Sequence, residues 1–415
     1  MYKKILALCL SVILAASALS ACSKDKDSSE EKSSLESSDS VTESAGSDST
    51  AEAEEAPDPS LTVDGKKVDT DNLVLFTIEG NDITFDEFRY NYYYFLSAYG
   101  SSYGVTEDEM SNLSDSEKSE RFAAFKENII QFIKGTYVYM KYAEDNNLEL
   151  TEDEIKECEE EIKNLKEEQG DGYEDYLKSG YLTEDYLLKL IKQSKIADKV
   201  RETFELTDDE FLEICENDLY QVRTILIPYG YDLTPSDDYL AEMGVSDFSS
   251  LTNDKKMSLL IYAYSELSDD EKASQKEKAA AHAEDIAKKA KDGEDFEKLL
   301  KEYGFDGGMN TYSGGYVVAD FYTSYGEDFA KALKNLKVGE ISDPFEFTYG
   351  YQILKRVEID TDYIKENLES DTDDTTSFKE EYQTENEFKT LQDLMDTMSV
   401  EETDIIKNLE YGDLT

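Results

Sequence analysis

The chain has 415 residues, of which 96 are Asp or Glu, 42 are Lys or Arg and one is His, a formal net charge of −54 at neutral pH. A field of that sign repels phosphates and so excludes nucleic acid as a partner; it attracts cationic clients and divalent ions, over about 8 Å at physiological salt. Calcium binding stays open, although no D-x-D-x-D-G loop marks a site.

In chain order, Lys3 and Lys4 precede the apolar run Ile5 to Leu14 and the tetrad Leu19-Ser20-Ala21-Cys22. This is the order of a bacterial lipoprotein signal: residues 1–21 are removed and the Cys22 thiol takes a diacylglyceryl anchor. Two acyl chains suffice for stable attachment, and no other apolar run approaches membrane-spanning length. Residues 22–60 form a linker, with twelve serines and twelve acids between Ser23 and Ser60 and only Leu35 and Val41 as large apolar residues. Such a segment cannot bury a core, and as a coil it reaches roughly 35 Å.

Folding begins near Leu73. Leu73 to Glu79 reads as a strand, Gly80-Asn81 as a two-residue turn and Asp82-Ile83 as the return. Thr84 to Glu87 is a capping box opening a helix whose Phe85, Phe88, Tyr92, Phe95 and Tyr99 share one face. Further boxes stand at Thr151 to Glu154 and Thr207 to Glu210, with another helix start at Thr183. Between them run stripes such as Ile129, Ile130, Ile133, Tyr137 and Met140, then Tyr186, Leu187, Leu190 and Ile191. Cys158 and Cys215 sit in acidic helical patterns without C-x-x-C spacing, which speaks for two half-buried thiols rather than a zinc or redox site and leaves a bridge open. The 30 tyrosines, with no tryptophan, serve either as a client-holding surface or as helix-contact residues.

Val222 to Ile227 reads as a strand. Pro228 to Ala273 follows as an insertion with a helix over Asp254 to Leu267; an insertion of this length is a client-gripping element or a packed flap. A helix from Gln275 to Lys291 carries the lone His282 on its surface. From Asp295 to Arg356 come an amphipathic helix, a glycine pair, a second helix, a G-E-I-S-x-P turn and the strand Tyr351 to Lys355. An acidic break at Asp371 to Asp374 precedes a last helix, about Phe378 to Met398.

The pieces Asp295-Phe296, Leu299, Tyr303, Asp306, Gly314-Gly315, Phe329, Ala332, Leu336, Gly339-Glu340-Ile341-Ser342, Pro344 and Gly350-Tyr351 together resemble the parvulin-type peptidyl-prolyl isomerase family. The order of motifs over Leu73 to Tyr220 resembles the N-terminal chaperone region of PrsA-like and SurA-like extracytoplasmic foldases. The resemblance implies a proline-ring pocket at Phe329, an acidic neighbour at Asp306 and Tyr325 where methionine is usual. Thr224 and Gln352 stand at the two family histidines, where a hydroxyl and an amide can still hydrogen-bond across neighbouring strands, so that the fold survives the exchange. Amide rotation needs no covalent nucleophile, metal or cofactor, only a site that favours the twisted amide.

The fold class implied is α+β: a parvulin-like domain at 221–359, with the insertion 228–273, set into a helical chaperone domain made of 61–220 and a returning segment 360–415. The function implied is that of a lipid-anchored foldase on the outer side of the cell membrane. It would bind unfolded exported polypeptides, touch the bilayer through Cys22, and leave a homodimer open. A pure chaperone with a degenerate isomerase fold, and a substrate-binding lipoprotein, are the alternatives.

Overall fold

A computed structural model describes residues 60–322, 325–368 and 377–414. The signal segment, Cys22, the linker through residue 59 and the acidic break lie outside the described residues. Among the described residues, no helix is long and apolar enough to cross a membrane.

The chain divides into two compact units, one reaching to Phe204 and joined by Thr390–Thr415, the other Glu205–Lys389. In the first, β1 (Leu61–Val63) and β2 (Lys66–Val68) form a hairpin. β3 (Val74–Ile78) lies between β4 (Asn81–Thr84) and the strand Val400–Glu402 in an antiparallel sheet. The β3–β4 turn falls on Glu79 and Gly80, one residue before the expected Gly80-Asn81. Both take positive φ, 49° and 75°, the pairing a two-residue hairpin needs to match strand twist. Glu79 is held there because Ser399 N and Oγ donate to its carboxylate.

Four long helices follow: α1 (Phe85–Tyr103), α2 (Asp115–Asp145), α3 (Glu152–Gln169) and α4 (Glu184–Glu202). The expected stripe of α1 is the buried one, with Phe85, Phe88, Tyr92 and Phe95 inside and Tyr99 half-buried. Phe95 meets Phe125 and Phe132 of α2 at 5.6 Å between ring centres. Each such ring, fully buried, contributes about 1.5–3 kcal/mol. The box at Thr151 forms reciprocally with Glu154, but the one at Thr84 is half made. Glu87 N donates to Thr84 Oγ1, while the Glu87 carboxylate turns inward to Lys189 Nζ at 2.6 Å and the Tyr137 hydroxyl at 3.1 Å. The tyrosines of α1 pack on one another and on the helices beside them: Tyr93 stacks on Tyr181 at 3.8 Å, and Arg89 lies 4.9 Å from the Tyr181 ring. Lys126 donates to the carbonyls of Ile406, Lys407 and Leu409, satisfying the end of the short helix Asp404–Lys407.

The second unit opens with α5 (Asp208–Asp218), whose Thr207–Glu210 box is complete, and then β5 (Tyr220–Pro228). The insertion is packed rather than open. It holds α6 (Asp237–Glu242) and α7 (Asn253–Ser265), the latter starting and ending slightly before the expected helix, and buries Leu240, Leu259 and Leu260. α8 (Asp269–Lys291) begins six residues before the expected start because Ser268 and Glu271 form a further capping box. Then come α9 (Phe296–Tyr303), β6 (Tyr316–Val318), α10 (Glu327–Asn335), β7 (Phe345–Phe347), β8 (Gly350–Val357), α11 (Thr361–Glu366) and α12 (Phe378–Thr397).

The sheet is antiparallel, in the order β6-β5-β8-β7, and β5 is buried on both faces, its polar Gln221, Arg223 and Thr224 as well as its apolar residues. On one face Ile225, Ile227 and Ile353 meet α8 through Ala279, Ala283 and Ala287, small residues that let helix and sheet approach closely. On the other, Val222 and Leu354 meet Phe329 and Leu333 of α10, Phe211 and Cys215 of α5, Ile364 of α11 and Phe378 of α12. The glycine pair leads into β6 because nothing larger fits. A Cβ on Gly314 would stand 2.7 Å from the Tyr363 ring, and one on Gly315, at φ +106°, 2.3 Å from the Val222 carbonyl oxygen.

Candidate active site

β5 and β8 fix the floor of the site. Their register sets Thr224 opposite Leu354 and Leu226 opposite Gln352, so all four side chains share the face that α10 covers. Phe345 of β7 pairs with Gln352 from the other side. Thr224 and Gln352 are therefore diagonal neighbours, and the Thr224 hydroxyl makes no hydrogen bond to Gln352. Thr224 Oγ1 and Gln352 Oε1 are both buried, and neither has a hydrogen-bond partner among the described residues.

Above this floor stands a wall of rings. Phe329, on α10, is 2 % exposed. Its ring stacks on Tyr325 at 4.7 Å and meets Phe345 edge-on at 6.2 Å. Tyr325 in turn lies 6.0 Å from Tyr316 and 6.2 Å from Tyr322, whose buried hydroxyl has no partner among the described residues. Tyr316 donates to Asp306 Oδ1 at 2.9 Å, and Gly308 N donates to the same oxygen at 2.9 Å. Burial holds the Asp306 carboxyl above its ordinary range, and these two hydrogen bonds oppose it. The same burial, with Asp306 alongside, pushes the Tyr316 phenol up. Phe329, Tyr325, Gln352 and Thr224 thus meet on one face of the sheet, and Asp306 reaches them through Tyr316. Cys22 lies outside the described residues.

The site is shut. A cavity of about 450 Å³ beside α10, lined by Ala332, Leu336, Ser342, Pro344 and Phe345 among others, stops short of Phe329. Tyr325 lies over the Phe329 ring, and burial pushes its phenol up, with the Glu381 carboxylate of α12 adding to the rise. Behind the floor, Met309 Sδ accepts from Thr224 N and from Arg223, and Arg223 grips Glu297 through Nε and Nη2. Sequence reasoning passed over Tyr316, Tyr322, Phe345, Met309 and Glu381. Phe345 alone had a signal, lying directly after Pro344 of the turn motif and so next in register to Gln352. His282 is half-buried rather than on the helix surface: Tyr231 stacks on its ring at 4.5 Å and burial lowers its basicity. It belongs to the face away from Thr224.

Residues 261–358 match the rotamase family, described as the PPIC-type PPIASE domain. The chain carries a parvulin-type isomerase domain. The matched stretch begins inside α7 and includes Asp306, Tyr325, Phe329 and Gln352; Thr224 comes from upstream, carried into the parvulin-type domain by the pairing of β5 with β8. The foldase protein PrsA of Bacillus subtilis is 43% identical over 79 residues, 18% of this chain and 26% of that protein. Foldase protein PrsA 4 of Bacillus cereus is 23% identical over 263 residues, 63% of this chain and 72% of that one. The chain spans about a quarter of the length of the first curated relatives it matches. Among solved structures, PrsA from Bacillus cereus overlaps 80% of this chain and 87% of its own at a TM-score of 0.30 and 18% identity. PrsA from Bacillus subtilis overlaps 79% and 93% at a TM-score of 0.23 and 22% identity.

Proposed function

We propose that the chain is a foldase: its helical unit holds unfolded exported polypeptides, and its parvulin-type domain turns their Xaa-Pro bonds. The observation that carries this reading is that Thr224 and Gln352 share the sheet face covered by Phe329 and Tyr325, three of the four lying in the stretch that matches the isomerase family. The relatives named foldase support the wider role.

The X-Pro bond resists rotation by about 18–20 kcal/mol through amide resonance. In this reading the proline ring replaces the Tyr325 ring against Phe329 and Phe345. The Thr224 hydroxyl, unpartnered at rest, donates to the prolyl nitrogen as that atom pyramidalises, and the Gln352 amide fixes the neighbouring peptide group. The transition state then has partners that the ground state uses less, which is what accelerates the step.

Attachment to the outer face of the cell membrane through Cys22 belongs to the same proposal, as does pairing with a second copy. It rests on the order of charged, apolar and small residues before Cys22. Labelled palmitate should enter the chain and fail to enter Cys22→Ala. A second reading, a holdase with a silent isomerase fold, is favoured by the closed pocket and the replaced histidines. Refolding of a client limited by prolyl isomerisation separates the two. The foldase shortens the slow phase itself, whereas a holdase raises the final yield and leaves that rate unchanged.

A further inference from the structure

Arg223 is the cation of β5, and its placement is expensive. It is 7 % exposed, and the register sets it directly opposite Lys355 of β8, so a buried charge faces a like charge across the sheet. Lys355 lies 5.7 Å from the Phe296 ring, while Arg223 pairs with Glu297 in the first turn of α9. The pair is bidentate: Nε donates to one carboxylate oxygen at 3.0 Å and Nη2 to the other at 2.7 Å. Such a fork fixes the guanidinium plane, and the plane aims Nη1 at two further acceptors. These are the Tyr312 carbonyl at 3.1 Å and Met309 Sδ at 3.4 Å. One guanidinium thus ties β5 to α9 and to the segment 306–312.

That segment bears on the isomerase site at both ends. Met309 Sδ also accepts from Thr224 N at 3.4 Å, so the sulfur held by Arg223 in turn holds the backbone of Thr224. Asp306 stands three residues earlier, fixed by Gly308 N and the Tyr316 hydroxyl, both at 2.9 Å. Just before it, Phe305 N donates to the Leu226 carbonyl at 3.0 Å. A thioether is a weak acceptor, so the Glu297 fork and the Tyr312 carbonyl carry most of the hold. Replacing a buried ion pair by apolar residues is often neutral or stabilising, so stability alone does not account for a charge here.

We infer that Arg223 is a positioning residue for prolyl isomerisation: locked by Glu297, it holds Met309 and the segment 306–312 so that Thr224 and Asp306 keep their places at the pocket. The inference rests on the isomerase reading of the site. It adds a residue whose side chain leaves β5 on the face opposite Thr224 and so acts without touching the proline.

A cavity of about 580 Å³ lies beside this clamp, lined by Arg223, Asp254, Glu297, Asp306 and Met309 among others. A chain with Arg223→Ala therefore has room for a small guanidinium to return to the vacated place.

The test follows catalysed cis/trans exchange of a short Ala-Pro peptide by NMR, using the full chain and separating turnover at saturation from peptide affinity. Arg223→Ala and Arg223→Lys should each lower turnover about tenfold or more, with affinity within about twofold of wild type, because misplaced groups cost turnover rather than binding. Lysine keeps the charge but has no fork. Added ethylguanidinium should restore turnover to Arg223→Ala and leave Met309→Leu unchanged. Arg223→Lys combined with Met309→Leu should lose no more than the worse single variant, since both cut one link. Wild-type turnover in Arg223→Lys, a loss carried by affinity, or additive losses in the double variant overturn the inference. So does a folded Arg223→Ala that ethylguanidinium fails to rescue; should that variant not fold, Arg223→Lys and the double variant decide. If the unmodified chain accelerates nothing, the isomerase reading falls, and the clamp is judged by the Thr224 amide signal without peptide. That signal should move in both Arg223→Lys and Met309→Leu, and an unmoved signal in Arg223→Lys rejects the clamp itself.

Discussion

Thr224 shows how stability and function separate at a single position. Its hydroxyl is buried without a partner, and valine has the same shape without the oxygen. Relieving an unpaired buried polar group is worth about 1–3 kcal/mol at most. Thr224→Val should therefore raise the urea midpoint, by about 1 kcal/mol in unfolding free energy, and lower prolyl turnover. A loss of stability would mean that the hydroxyl is paired in solution. Phe329 behaves oppositely, since it lies in the core as well as at the site. Phe329→Ala should cost about 3–5 kcal/mol in urea unfolding, as large-to-small changes of buried phenylalanine do. Phe329→Leu is thus the cleaner probe of the pocket. A near-zero cost for the alanine variant would remove the ring from the core.

At the scale of elements, the capping residues fix helix starts and can be checked one at a time. Thr151 accepts from Glu154 N, and the Glu154 carboxylate accepts from Thr151 N and Oγ1. Thr151→Ala should cost about 1 kcal/mol, read as a lower unfolding midpoint of the first unit. No change would show that Glu154 finds equal partners elsewhere, Lys199 foremost. These starts were legible because capping is local chemistry: Thr183 and Thr207 cap their helices as their sequences imply. Thr84 did so only in part, because Glu87 answers to Lys189 and Tyr137 from another helix, a tertiary contact that no local pattern contains. The strands β5 and β8 and the helices α9 and α10 were legible from motif order, while their register was not. That register decides how Thr224 and Gln352 stand to each other, and it depends on the pairing of Thr224 with Leu354 and of Leu226 with Gln352, strands far apart in sequence. Tyr316 and Glu381 escaped for the same reason, being brought to the site by the sheet edge and by a helix that lies beyond the matched region.

Across the whole molecule, the two buried thiols report on the two units separately. Cys158 belongs to the first and Cys215 to the second; both are free and fully buried, and burial pushes the Cys215 thiol up to about 12. In a chain beginning at Ser23, a thiol reagent should leave both untouched in the native state and label each only as its own unit opens. Rapid labelling of Cys215 without denaturant would contradict the core assigned to the second unit. The large net negative charge acts on the same scale, favouring cationic clients. Client capture by the full chain should therefore weaken as salt is raised, and a salt-independent affinity would assign capture to apolar contact alone.

The central claim is that a parvulin-type pocket without its histidines still turns Xaa-Pro bonds. The most direct measurement is cis/trans exchange of a short Xaa-Pro peptide at pH 8, catalysed by the full chain and by Phe329→Leu and Thr224→Val. The account predicts acceleration by the unmodified chain that falls at least about tenfold in each variant, a loss of about 1.4 kcal/mol of transition-state stabilisation. No acceleration by folded protein, or acceleration that both variants retain, would contradict it.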